Sequence, residues 1–173
     1  MDTTWNLATD LVRIDSSDPG AYEGRIEQHI KSLVEARIAK MPAKLAAAVG
    51  VEELEALPDR RNLMVTVPGT SDEPRLVYIC HMDTVTLGEG WSEGISPLGD
   101  DLYGRGSCDM KGGLSCALSA LFSLLGRVAG EKRLPRRGFS LICSVDEEDF
   151  MRGVEAAIRA GWVGPDEWVL DTE

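Results

Sequence analysis

Histidine is nearly missing from this sequence: 173 residues hold only two, His29 and His81. Any metal centre must therefore lean on carboxylates, and the 29 Asp and Glu supply them in number. The four cysteines (Cys80, Cys108, Cys116, Cys143) form no C-x-x-C pair. That spacing excludes a Cys-rich zinc site and gives no disulfide framework, so reduced, mostly buried thiols are expected. Basic residues are outnumbered, 18 against 29, for a net charge of −11. Nucleic acid and anionic membranes are excluded as main partners on electrostatic grounds. No apolar run approaches the roughly 18–20 residues that cross a bilayer. The start, Met1-Asp2-Thr3-Thr4-Trp5, has no basic residue of the kind that opens a signal peptide. Cytoplasmic placement is the expectation. Internal repeats, low-complexity tracts and long linkers are missing as well.

What is present suits a folded core. A hydrophobic share of 43% is ordinary for a globular chain, and the length fits one domain or a piece of a larger one. Residues 5–14 carry apolar side chains at helical spacing, and the turn residues Asp15-Ser16-Ser17-Asp18-Pro19-Gly20 end the pattern. A second helix is expected over 22–39, and residues 42–57 read as a helical or irregular insertion. Residues 63–67 alternate as a strand does. Short apolar runs at 76–80, 139–145 and 168–170 predict three further strands. Between them, Leu114, Ala117, Leu118, Leu121, Phe122 and Leu125 form an amphipathic helical stripe, and 153–160 reads as another helix. Strands alternating with helices predict an α/β sheet.

Three of those strands run directly into polar clusters: His81 and Asp83, Glu147 and Glu148, Asp171 and Glu173. Open α/β sheets bind ligands in the crevice beyond the carboxyl ends of their strands. A fourth cluster, Gly104-Arg105-Gly106-Ser107-Cys108-Asp109-Met110-Lys111-Gly112-Gly113, enters the amphipathic helix. Taken singly, His81 reads as a structural histidine, the Glu pair as solvated surface, Asp109 as a turn or cap, and Asp171 and Glu173 as a chain end. Together they would crowd negative charge into one crevice, which demands protons or cations, most simply a divalent metal. In a His-x-Asp spacing the carboxylate can hold the second ring nitrogen and fix the tautomer of a ligating imidazole. The glycines make no dinucleotide fingerprint, since the third one would fall at Asp109. They make no P-loop either, because Lys111 precedes Gly112 rather than Ser or Thr. Small residues there let the backbone turn tightly enough to aim Asp109 inward. His29 sits in the second helix pattern beside charged residues and has no assigned role.

On His81-Met82-Asp83-Thr84-Val85, the Gly-rich segment 104–113, and Asp146-Glu147-Glu148, in that order and after Arg60-Arg61-Asn62, the sequence resembles the M20 family of metallopeptidases and amidohydrolases. The resemblance implies a three-layer α/β/α sheet of the zinc-exopeptidase (phosphorylase/hydrolase-like) type, incomplete at its C-terminus. It implies two divalent metal ions, Zn first with Co or Mn as alternatives. His81 would bind one ion, Asp109 would bridge both, and Glu148 would bind the other. Glu173 would be a further ligand, with Asp171 as its rival. Glu147 would be the general base and Asp83 the residue that orients His81. The substrate would be an N-acyl amino acid or small peptide.

Family members also carry a lid or dimerisation domain and a last histidine ligand, and neither occurs in residues 1–173. The resemblance therefore implies the N-terminal portion of a catalytic domain, inactive by itself, whose full-length form would dimerise through the lid. A non-catalytic relative or scaffold is the competing reading. A calcium module is a third, which lacks an EF-hand loop and for which His81 is a poor ligand.

Overall fold

The computed structural model describes residues 3–89, 96–98 and 101–173. In chain order its elements are α1 (Thr3–Val12), α2 (Gly24–Ile38), α3 (Ala43–Ala46), β1 (Gly50–Leu57), β2 (Arg60–Val67), β3 (Leu76–His81), β4 (Ser96–Leu98), β5 (Asp101–Tyr103), α4 (Lys111–Glu131), β6 (Phe139–Ser144), α5 (Arg152–Arg159) and β7 (Trp168–Asp171). Five strands form one mixed sheet in the order β1-β2-β6-β3-β7, while β4 and β5 pair as a small separate hairpin. β6, β3 and β7 run parallel, with Cys80 opposite Cys143 and Ile79 opposite Asp171. β2 runs antiparallel to β6, with Leu63 opposite Cys143. The start of β2 therefore lies at the same sheet edge as the ends of β6, β3 and β7.

Helices cover both faces, as the α/β/α expectation requires. The pleat sends Leu63, Val65, Leu141 and Cys143 into a core with Leu11, Ile30, Leu114, Leu118 and Leu121 from α1, α2 and α4. The alternate residues Met64, Val77 and Ile142 pack on the other face with Ala157 of α5 and Trp162. All six residues of β6 are buried, which accounts for its unbroken apolar character. By length and composition alone, α4 would suffice to cross a membrane, against the expectation that no apolar stretch reaches that scale. Its Leu114, Leu118, Leu121 and Leu125 are instead buried in the core.

Three further expectations are corrected. Residues 50–57 are strand rather than helix or irregular chain. Their partner is distant in sequence, with Gly50 opposite Thr66 and Glu55 opposite Arg61, and such pairing overrides the weak strand propensity of Glu52, Glu53 and Glu55. Those charges suit an edge strand, where they discourage further pairing. The hairpin of β4 and β5 falls where the sequence pattern predicts no element. The thiols divide evenly: Cys80 and Cys143 are buried, whereas Cys108 and Cys116 are exposed. Cys116 lies two residues past Leu114, which turns it off the apolar stripe of α4.

Candidate metal centre

The end of β3 delivers His81 to the sheet edge with its side chain almost fully buried. Its Nδ1 lies 3.0 Å from the backbone carbonyl of Asp83, and a proton there donates to that oxygen. In the neutral ring Nε2 then keeps the lone pair that a metal would take. It faces Asp109 Oδ1 at 3.0 Å and Glu147 Oε2 at 3.6 Å. Asp83 is fully buried. Its carboxylate Oδ2 accepts the Glu148 backbone N–H at 3.0 Å, and its Oδ1 lies 3.5 Å from His81 Nδ1. Oδ1 has no hydrogen-bond partner among the described residues. Val85 N–H donates to Glu148 Oε1 at 3.2 Å, completing the link between the loop after β3 and the loop after β6.

Asp109 arrives by a tightly wound loop. Gly106 has φ +77°, and a Cβ on it would meet Thr84 Cγ2 at 2.7 Å, so both the backbone and the space require glycine there. Lys111 N–H donates to Gly106 O at 2.8 Å and closes the turn. The Lys111 side chain is buried, and its Nζ donates to Ile14 O at 2.7 Å, anchoring the start of α4 to the N-terminal segment. Burial, helped by Arg105, pulls the Lys111 ammonium down to about 8 against the opposing pull of Asp15 and Asp83.

One ligand atom from each of His81, Asp109 and Glu148 lies within 4.8 Å of the others. Asp171 and Glu173 do not join that group. They line a neighbouring cavity of about 120 Å³ together with His81, Met110 and Glu147. On the other side a cleft of about 600 Å³ opens between Val85, Leu87, Tyr103, Arg105, Asp109 and Glu148.

The electrostatics are those of a crevice short of positive charge. Burial opposes protonation of His81, but Asp83, Asp109 and Glu147 outweigh it and lift the imidazole to about 9. Burial raises the Glu147 carboxyl, and Glu173, Glu148 and Asp83 add to the rise against the pull of His81. Burial and then Asp109 raise Glu148. Burial would also raise Asp83, but His81 and the Glu148 N–H hold it below the usual carboxylate range. This donor set fits a borderline divalent cation. Ligands bound at about 2.0–2.2 Å around one ion sit roughly 3–3.5 Å apart, and the His81 to Asp109 distance of 3.0 Å is on that scale.

A second acidic group, Asp18, Glu23 and Asp83, also brings carboxylate oxygens within 4.8 Å. Arg60 already supplies its cation, pairing with Asp18 and Glu23. The sequence pattern assigns no role in the site to Asp18, Glu23, Arg60 or Asn62. Asn62 is fully buried, donating to Gly153 O at 2.7 Å and accepting from Val145 N–H at 3.1 Å. The one available signal was polar residues heading a strand whose remainder is apolar.

The pattern of peptidase family M20/M25/M40 matches residues 77–171. The chain belongs to this family. A succinyl-diaminopimelate desuccinylase of Methylobacterium radiotolerans is 35% identical over 130 residues, covering 73% of this chain and 31% of the relative. One from Rhodopseudomonas palustris is 38% identical over 81 residues, covering 44% of this chain and 20% of the relative. Among solved structures, aminopeptidase PepT of Bacillus cereus superposes with TM-score 0.60 at 27% identity, over 97% of this chain and 42% of that one. The M20 family metallo-carboxypeptidase Sso-CP2 of Sulfolobus solfataricus gives TM-score 0.72 at 16% identity, over 99% of this chain and 37% of that one, a likeness of fold. The chain thus spans well under half the length of each of these proteins.

Proposed function

We propose that this chain carries the metal-binding portion of a metal-dependent hydrolase that cleaves the amide bond of an N-acyl amino acid or small peptide. His81, Asp109 and Glu148 would hold the metal, with Glu173 or its rival Asp171 completing a two-ion site, zinc first and cobalt or manganese as alternatives. The observation that carries this is the meeting of the first three within 4.8 Å, with Glu147 only 3.6 Å from the same imidazole nitrogen. Ions held there by these residues would supply Lewis acidity toward an amide carbonyl and toward water. Glu147, its carboxyl raised by burial and by neighbouring acids, would accept a water proton and pass it to the leaving amine. Asp83 keeps His81 in the tautomer that presents Nε2 and, through the Glu148 N–H, sets the distance between the two loops.

The relatives named desuccinylases make N-succinyl amino acids the first substrates to test. Because the chain spans so little of its relatives, we propose that residues 1–173 are the N-terminal portion of the catalytic domain and do not turn over alone. The exposed apolar edge of β7, with Trp168, Val169 and Leu170 each 45–59% accessible, supports further polypeptide packing there. The free thiols Cys80, Cys108, Cys116 and Cys143 suit cytoplasmic placement. In the full-length protein, Glu147→Gln should abolish hydrolysis while metal content stays at the wild-type level. Near-normal hydrolysis by that variant would remove Glu147 from its role, and hydrolysis by residues 1–173 would overturn the partial-domain reading.

A further inference from the structure

Beside the candidate centre lies a buried charge cluster that the hydrolytic reading leaves unused. Arg60 opens β2 and is 9% exposed. Its Nε donates to Glu23 Oε2 at 2.8 Å, and its Nη2 donates to Asp18 Oδ2 at 2.6 Å and to Glu23 Oε1. Nη1 reaches Asp146 Oδ1 at 3.2 Å, and the guanidinium lies 4.5 Å from the centre of the Tyr22 ring. All three carboxylates are buried, their side chains at most 6% exposed.

Two of these partners lead to the two loops of the centre. Asp18 belongs to the segment that pairs with the loop after β3. Its N–H donates to Thr84 O at 2.9 Å, Thr84 N–H donates to Ser16 O at 3.2 Å, and Ser16 Oγ donates to Met82 O at 2.7 Å. Asp146 immediately precedes Glu147 and Glu148 and holds a left-handed backbone, φ +64°. For a residue other than glycine that conformation costs on the order of 1 kcal/mol and needs support from its surroundings. Support comes from Glu23, which accepts the Asp146 N–H at 3.1 Å, and from Arg152, whose Nε donates to Asp146 Oδ2 at 2.6 Å.

From this arrangement we propose that Arg60 is a positioning residue: its guanidinium locks the loop of residues 81–84 to the loop of residues 146–148 and so sets the spacing of His81 and Glu148. It touches no reacting group. Without it Asp18, Glu23 and Asp146 become neighbouring buried anions with, among the described residues, only Arg152 left against the last of them. Their mutual repulsion pushes the two loops apart. The neighbouring Asp83 carboxylate, which lies in the same acidic group as Asp18 and Glu23, then loses its grip on the Glu148 N–H. The proposal rests on reading His81, Asp109 and Glu148 as metal ligands.

The test is Co²⁺ titration of the protein and its variants, followed by calorimetry and by the visible spectrum, well below the metal-free melting temperature. Asp109→Asn serves as the ligand control. Arg60→Gln is expected to weaken Co²⁺ binding about 10–100-fold and to change the spectrum, the range found when groups supporting metal ligands are removed. The double variant Arg60→Gln with Glu23→Gln relieves the unpaired charge, so it should fold when Arg60→Gln alone does not, and it should show the same weakened binding. Asp18→Asn, which keeps Arg60 on Glu23 and Asp146, should give a smaller loss in the same direction. A merely structural role would lower the melting temperature and leave affinity and spectrum unchanged. If wild type binds no Co²⁺, or Asp109→Asn binds as well as wild type, the ligand reading fails and the proposal falls with it. If Asp109→Asn abolishes binding while the Arg60 variants bind within about twofold of wild type, only the positioning role is overturned.

Discussion

Two glycine-to-alanine changes should shift stability in opposite directions. In an isolated helix either would stabilise by up to about 1 kcal/mol, through alanine's higher propensity and the smaller entropy of the unfolded chain. Gly126 lies within α4 with nothing within 4 Å of the place its Cβ would take, so that gain should appear in full. Gly153 lies at the start of α5, where a Cβ would stand 2.2 Å from Val145 O, 2.7 Å from Val145 N and 2.8 Å from Asn62 Oδ1. None of these is the loose end of a flexible side chain. Relief requires α5 to back away by about 1 Å, with an overpacking cost of about 1–3 kcal/mol. It also strains the Asn62 bridge between Gly153 O and Val145 N–H, and leaving a buried polar group unpaired costs about 1–3 kcal/mol. Set against the propensity gain of about 1 kcal/mol, the net loss is about 1–5 kcal/mol. For a chain of this size 1 kcal/mol moves the melting temperature about 2–4 °C. Differential scanning calorimetry should therefore show Gly126→Ala melting about 2–4 °C higher and Gly153→Ala about 2–20 °C lower. A Gly153→Ala variant melting at or above wild type would refute the packing derived for that face of the sheet.

Three further outcomes follow from the structure. Arg75 Nε donates to Glu167 Oε1 at 2.6 Å and Gly164 N–H donates to Glu167 Oε2 at 2.7 Å. Burial would raise the Glu167 carboxyl, but Arg75 and that N–H outweigh it and hold it below the usual range. A depressed carboxylate stabilises above its unfolded pKa and loses that contribution as pH falls through its folded one. Glu167→Gln should therefore cost about 1–2 kcal/mol at pH 7, with the difference closing below about pH 4; urea melts that show the same gap at pH 3 would contradict this. Only Cys108 and Cys116 should react with a thiol reagent under native conditions, since Cys80 and Cys143 are buried and burial pushes the Cys80 thiol up to about 12. Four fast-reacting thiols, or none, would contradict the burial. Removal of bound divalent metal by a chelator should lower the melting temperature, and added Zn²⁺ should restore it, because a ligand bound only to the folded form stabilises it by mass action. An unchanged melt would count against the metal centre.

How much could be read in advance depended on how local the cause was. β3 and β6 announced themselves because burial on both faces makes their sequences continuously apolar. α4 was legible from its stripe of leucines. β1 was hidden: Glu52, Glu53 and Glu55 look helical or irregular until β2 is set beside them, and that partner is fixed by tertiary pairing. The convergence of His81, Asp109, Glu147 and Glu148 was legible because each follows an apolar strand or a glycine-rich turn, positions with a fixed place relative to a sheet edge. The cluster around Arg60 was not, since its bonds to Asp146 and from Asp146 to Glu23 join residues 86 and 123 positions apart. No local pattern marks a residue whose only role is to meet others across that distance.

That cluster also bears on inheritance. The stretch matching the family pattern, residues 77–171, contains His81, Asp109, Glu147 and Glu148. Asp18, Glu23, Arg60 and Asn62 lie outside it, yet they brace the loops on which those residues stand. A recombination event that exchanged only the recognisable stretch between two relatives would transfer these four residues without their bracing. Such chimaeras should survive only where the incoming Asp146 meets an arginine and a glutamate at the places of Arg60 and Glu23, so these scattered positions are expected to travel through descent as one unit.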